Sequence, residues 1–446
     1  MDALRRGRPA LGVTAAGCLW ALFVGDYSLT NSRLAVVIAA LPFVLVLTLT
    51  RLPVIALLAV ASIPFTADVA RGAVPSVQVA PSDLGLAITG AGLLVAVALG
   101  QGMLRPPSVL RPLAVPFGVY TAIMVVLLLA HPSLSSGIKS LQRLELTVCP
   151  AAMGALLFDD KRLRLGLRLY VICATALGLA FAESLFFGGT TLFSVQKNPA
   201  GQFVASAIIV ALALPGFSSR FRVVFLGPLT LGLVATQSRG AVVALGASLV
   251  VLLLLRGKGS RAQTAALISV AAVGIVVAFQ FLPSEDQGRA LRTSSSNDYA
   301  LKIRQDYRHD GINLYKAHPV SGIGVGNYLS GDVQAGTQAS DPHNVLLLQA
   351  VEGGPLLVGG FLVLSLGPVV TLVRRRKLHP VVTIALAVQV GILTHGQVDV
   401  YWVRSTPVLG WFLIGAAVAF TDRPAEATGP GILRARMGLS PDVSKR

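Results

Sequence analysis

Several runs of 16 or more residues in this chain carry no charge at all, among them 84–104 and 240–255. A helix needs about 20 apolar residues to cross the hydrocarbon of a bilayer. One or two water-soluble cores could not hide so many such runs. Only 13% of the 446 residues are charged and 54% are hydrophobic, whereas an average soluble domain has about 25% charged. The sequence therefore reads as an all-α polytopic membrane protein.

Fourteen spans are expected, near 10–26, 34–50, 52–67, 84–100, 112–130, 144–158, 167–187, 201–215, 221–236, 239–255, 264–283, 344–373, 380–397 and 402–420, with twelve as the lower count. The run 344–373 is too long for one straight crossing, and Gly353, Gly354 and Pro355 predict a break after a short first helix. The net charge of +17 would suit a nucleic-acid binder. The bases instead sit in short clusters between apolar runs, where the positive-inside rule puts them. With the N-terminus inside, 24 of the 37 Lys and Arg fall on inner segments, and six of the remaining 13 on one long outer loop. That orients the chain with both termini cytoplasmic. Cys18, Cys149 and Cys173 all lie in apolar spans, so no disulfide framework is implied. Arg5, Arg6 and Arg8 precede the first apolar run without a small-x-small cleavage site, which reads as a first span.

Three regions follow: N-terminal membrane helices over 1–190, a core over 191–420 that includes an extracytoplasmic loop at 284–341, and a disordered cytoplasmic tail over 421–446. Within the loop, 298–316 reads as an amphipathic helix from the recurrence of Tyr299, Ile303, Tyr307 and Leu314, with Arg304 and Arg308 as i,i+4 neighbours.

On this topology the polar residues gather on the outer side. Lys139, Arg143 and Glu145 lie at the outer end of the sixth span, and Gln196, Lys197 and Asn198 precede the eighth. Arg239 opens the tenth span, His343 and Asn344 the twelfth, and His395, Asp399, Tyr401 and Arg404 fill the last outer turn. Any one of these cations reads equally well as a snorkelling cap. Seven on the sparse short outer segments, where the charge rule disfavours them, suit an anion such as a diphosphate, to which Arg offers a bidentate fork.

His343 follows Asp341 and Pro342, which read as N-cap and first helical position. It would then stand on a first helical turn, where the positive dipole end favours a neutral imidazole that can take a proton from a hydroxyl. A hydrogen-bonded interfacial histidine is the plainer alternative. Glu352, about half a turn away around an ideal helix, reads as a buried structural acid. The alternating glycines of Pro319-Val320-Ser321-Gly322-Ile323-Gly324-Val325-Gly326-Asn327-Tyr328 lack the strand, helix and acid of a dinucleotide site. They leave a structural turn, or one whose amides approach an anion. No metal-ligand spacing occurs.

The segment Arg304…Tyr307…His318-Pro319…Gly322-x-Gly324-x-Gly326-Asn327-Tyr328…Asp341-Pro342-His343-Asn344…Leu347…Glu352-x-Gly354 resembles the shared core of bacterial O-antigen ligases and O-antigen polymerases. Asn198-Pro199 and Ser238-Arg239-Gly240 match it as well, so that the resemblance spans about 190–410. It implies a glycosyltransferase of the many-helix, GT-C-like type in the bacterial cytoplasmic membrane. The donor would be a polyprenyl (undecaprenyl-type) diphosphate-linked glycan, and the acceptor a glycan or glycolipid. No cofactor, metal or nucleic acid is implied; membrane lipid is the other partner.

By the same resemblance, His343 is the acceptor base and Arg239 a diphosphate ligand, with Arg143 or Lys197 as the second cation. Transfer would be inverting and metal-independent. From their place on the outer side, and not from a family motif, Lys139, Asn198, Asn344, Asp399 and Arg404 are expected to contact substrate, and Arg304 and Arg308 to hold the glycan or close the loop over it. The rivals are a lipid-linked glycan flippase, which would place its charges nearer the midplane, and another polyprenyl-using polymerase. Ligase and polymerase are not separated.

Overall fold

The computed structural model describes residues 50–65, 70–71, 78–100, 105–187, 196–256, 295–329, 342–376, 379–402 and 405–422. The spans expected at 10–26 and 264–283, nearly all of 34–50, and the tail beyond Asp422 lie outside these residues, as do Asp341 and Arg404.

The described chain is helical apart from two antiparallel two-residue strands, β1 (Ala70–Arg71) and β2 (Gln78–Val79). The helices are α1 (Thr50–Ser62), α2 (Pro81–Ala98), α3 (Arg111–Ala130), α4 (Leu134–Glu145), α5 (Val148–Leu157), α6 (Asp160–Phe187), α7 (Lys197–Ala213), α8 (Ser219–Ala235), α9 (Arg239–Leu255), α10 (Ser295–Ala317), α11 (Val345–Arg374), α12 (Pro380–His395) and α13 (Val408–Thr421). Among the described residues, four helical segments are long and apolar enough to cross a membrane: Pro81–Ala98, Pro107–Ala130, Asp160–Ser184 and Val345–Arg374. Shorter apolar helices are α1, α9, α12 and α13. The fold is that of an all-α polytopic membrane protein.

Composition decides which helices are central. α13 is buried along its whole length and α7 from Pro199 onward, as befits helices apolar on every side. α13 packs on α5 and α12, and α12 packs on α9. α7 touches α6, α8, α9 and α12. Small residues allow this closeness: a Cβ on Gly415 would strike the Ala151 carbonyl, and one on Gly154 the Phe412 carbonyl.

α11 breaks where expected. Gly353 (φ −149°, ψ 17°) and Gly354 (φ 61°, ψ −160°) interrupt it, and only glycine adopts the second of these freely.

The expected sixth span is corrected. Residues 144–158 are not one crossing: α4 ends at Glu145 and α5 has only 10 residues, about 15 Å of helix. The preceding helix is of a different kind: in α4, Ser136, Lys139, Ser140, Gln142 and Arg143 are buried while Leu134 and Leu141 are exposed. A helix that turns its polar face inward and its leucines outward stands between a polar interior and an apolar surround.

Candidate functional site

Backbone contacts bring four helix ends together. A Cβ on Gly201 would meet Ser238 Cβ at 2.7 Å, so that the first turn of α7 presses on the head of α9. Gly240, the second residue of α9, lies against His395 at the end of α12 in the same way. The Val345 N–H at the start of α11 donates to the Gly396 carbonyl at 2.7 Å. α10 joins this end through an ion pair from Arg304 to Asp399 (3.6 Å) in the turn after α12.

Two of these ends begin with a cation. Lys197 is the first residue of α7 and Arg239 the first of α9. Each stands where the helix dipole is already positive, and Asn198 follows Lys197 half-buried. Ser238 caps α9 by accepting from the Ala241 N–H at 3.3 Å, and Gln237 before it takes a left-handed conformation (φ 52°).

The start of α11 differs from the sequence expectation. The N-cap is Asn344, whose Oδ1 accepts from the Leu347 N–H at 2.9 Å. His343 therefore precedes the helix instead of standing on its first turn. Asn344 wins because an asparagine side chain is an N-cap of the first rank. Its amide also donates to the Gln397 carbonyl at 3.0 Å, which commits both ends of that side chain to structure. His343 is half-buried at φ 53°, a conformation that costs a non-glycine residue about 1 kcal/mol or more and persists where surroundings over-determine it. Its ring centroid lies 6.3 Å from that of Tyr307, with planes 27° apart.

A third non-glycine residue with positive φ is Ser405 (φ 62°), whose hydroxyl donates to Asp83 at 2.6 Å. Among the described residues, all three such positions lie just before or within the turns that lead to α9, α11 and α13.

Arg143 points inward. It is 3% exposed, its Nη2 pairs with Glu352, and its guanidinium lies 5.3 Å from the Trp402 ring, against which Tyr120 also stacks. Lys139 is buried as well, donates to Gln142 Oε1 at 3.1 Å and packs on Gly326. Glu145, at the end of α4, is half-buried. Arg304 is partly exposed on α10, Arg308 is exposed on the same helix, and Asp399 also accepts from the Val400 N–H at 2.8 Å.

The glycine loop spends its amides on the break in α11. Ile323 and Gly324 donate to the Val351 and Glu352 carbonyls at 3.0 and 2.9 Å, and Gly326 to Glu352 Oε1 at 2.8 Å. That is the structural turn of the two sequence readings. Among the described residues, no three His, Cys, Asp or Glu side chains are grouped to hold a metal ion.

Sequence reasoning missed two buried polar residues at this end, Tyr120 and Gln349. Tyr120 donates to Gln349 Oε1 at 3.3 Å. His395 is fully buried, with no hydrogen-bond partner for either ring nitrogen among the described residues. The signal for Tyr120 and Gln349 was a polar side chain inside an apolar run.

An O-antigen ligase family model matches residues 221–364. Over this stretch the chain is similar to the O-antigen ligases. The matched third of the chain contains Arg239, α10, the glycine loop, His343, Asn344 and Glu352. It is narrower than the span suggested by the sequence motifs, leaving Lys139, Arg143, Lys197, Asn198 and Asp399 outside. No curated protein matches the chain.

Proposed function

We propose that this O-antigen ligase-type protein moves a glycan from a polyprenyl diphosphate carrier to a hydroxyl acceptor at the outer face of the bacterial cytoplasmic membrane. The observation that carries the reading is the meeting of the α7 and α9 N-termini, each opening on a cation, at the end of the bundle that also bears His343. A helix N-terminus favours an anion. A cation as its first residue adds charge of the same sign, and a diphosphate relieves both. Lys197 is therefore favoured over Arg143, which is engaged by Glu352, as the partner of Arg239.

His343 takes the proton of the acceptor hydroxyl while that oxygen attacks the anomeric carbon from the face opposite the carrier. The glycosidic C–O bond breaks, its electron pair stays with the departing diphosphate, and the configuration inverts. Arg239 and Lys197 stabilise the growing charge on the leaving group, and no metal is required for that purpose. Diphosphate leaves readily, so the enzyme's work is mainly positioning. Asn198, Arg308 and the Arg304–Asp399 pair border the acceptor side, with Arg404 assigned to it by sequence alone.

The test is a proteoliposome assay with a polyprenyl diphosphate-linked oligosaccharide, comparing wild type with His343→Ala and separating products by size. A ladder of lengthening lipid-linked chains identifies a polymerase, and a single transfer to added acceptor a ligase. Movement of donor between leaflets without product overturns the transferase in favour of a flippase.

A further inference from the structure

Glu352 stands at a junction that the chemistry proposed above leaves unused. Its carboxylate is 1% exposed and is engaged from two sides, by Arg143 of α4 on one oxygen and by the Gly326 N–H on the other. Its backbone carbonyl takes the Gly324 N–H, and the preceding Val351 carbonyl takes that of Ile323. The fit is close: a Cβ on Gly322 (φ 63°) would strike the backbone of Glu352 and Gly353, and one on Gly354 the Val320 carbonyl. One carboxylate thus ties α4, the glycine loop and the break in α11 together.

From this clamp the contacts run on to His343. Tyr328, two residues past Gly326, is buried and donates its hydroxyl to the Tyr307 carbonyl of α10 at 3.0 Å. The Tyr307 ring faces that of His343. Gly311, one turn further along α10, packs against Leu347 in the first turn of α11.

We propose that Glu352 and Arg143 are positioning residues of the transferase. Through the glycine loop and Tyr328 they set where Tyr307, and with it α10, stands against His343. The proposal rests on the reading of His343 as acceptor base, and it gives Arg143 an indirect role instead of contact with the diphosphate. A buried carboxylate stripped of its cation is worse placed than a neutral pair in the same space. Removing Arg143 alone therefore strands Glu352 and releases the loop, whereas neutralising both restores it.

The experiment compares the full chain in proteoliposomes as wild type, Arg143→Met, Glu352→Gln and the double variant, with the lipid-linked oligosaccharide as donor. Arg143→Met is expected to lower kcat about tenfold with donor KM little changed, and adding Glu352→Gln to recover most of that loss. A donor KM raised in Arg143→Met and not relieved in the double variant would place Arg143 on the diphosphate and overturn the proposal.

A second readout does not depend on turnover. Trypsin cleavage after Arg304 and Arg308, mapped by mass spectrometry, is expected to be faster in Arg143→Met than in wild type or the double variant. Glu352→Gln, which keeps an acceptor for Gly326, moves it in the same direction by less; wild-type cleavage in both single variants overturns the proposal. His343→Ala serves as the control, inactive but cut like wild type. If it is active, the base reading fails while the cleavage result stands on its own.

Discussion

Asn344 holds Gln397 across the mouth of the site, its side-chain amide donating to the Gln397 carbonyl at 3.0 Å. The same side chain caps α11 through its oxygen. One residue thereby fixes the height of His343 relative to the α12 end, where His395 and Asp399 sit.

The two halves of that role separate by substitution. Asn344→Asp keeps the cap acceptor and loses the donor; Asn344→Ala loses both. The alanine variant is expected to cost about 1–2 kcal/mol of stability, and the aspartate variant less. Thermal inactivation of the detergent-solubilised protein measures the order, and an aspartate variant as labile as the alanine one contradicts it.

His343 occupies a left-handed backbone position that asparagine tolerates better than alanine. His343→Asn therefore preserves the local conformation while removing the base. Both His343→Asn and His343→Ala are expected to lower glycan transfer by about 10²–10⁴-fold with span insertion intact. Substantial turnover in the asparagine variant would mean that backbone shape, not the imidazole, is what the site needs.

Arg239→Ala is expected to lower kcat/KM by about 10²-fold or more, in line with loss of a charge-assisted contact to a leaving group. Arg239→Lys recovers only part, because lysine lacks the bidentate fork. Complete recovery by lysine would reduce the role to charge balance.

Arg239 and Lys197 supply the positive charge at the proposed diphosphate site, so chelation of divalent ions is expected to leave the rate unchanged. Activity lost in EDTA and restored by a divalent ion rules out the metal-independent scheme.

The uncharged runs made the membrane fold legible, and glycine and proline located the break in α11. α10 was legible too: the expected 298–316 compares with Ser295–Ala317. Short-range competition was less so. Asp341-Pro342 offered one start for α11, and Asn344 provided a better N-cap three residues after Asp341, which moved His343 off the helix. Long-range pairing was not legible at all. Arg143 and Glu352 are 209 residues apart, and an ideal-helix rule applied to Glu352 alone could not find a partner on another element.

The reversed helix α4 has a practical meaning. With Leu134 and Leu141 outward and Lys139 and Arg143 inward, the wall on this side is, among the described residues, a single helix, about 10 Å thick. Hydrocarbon insulates the charges behind it, much as a dry core insulates a buried ion pair in a soluble enzyme. Exchanging lipid for detergent or water along that wall is then equivalent to altering the protein, and rates measured in different amphiphiles are rates of differently built enzymes.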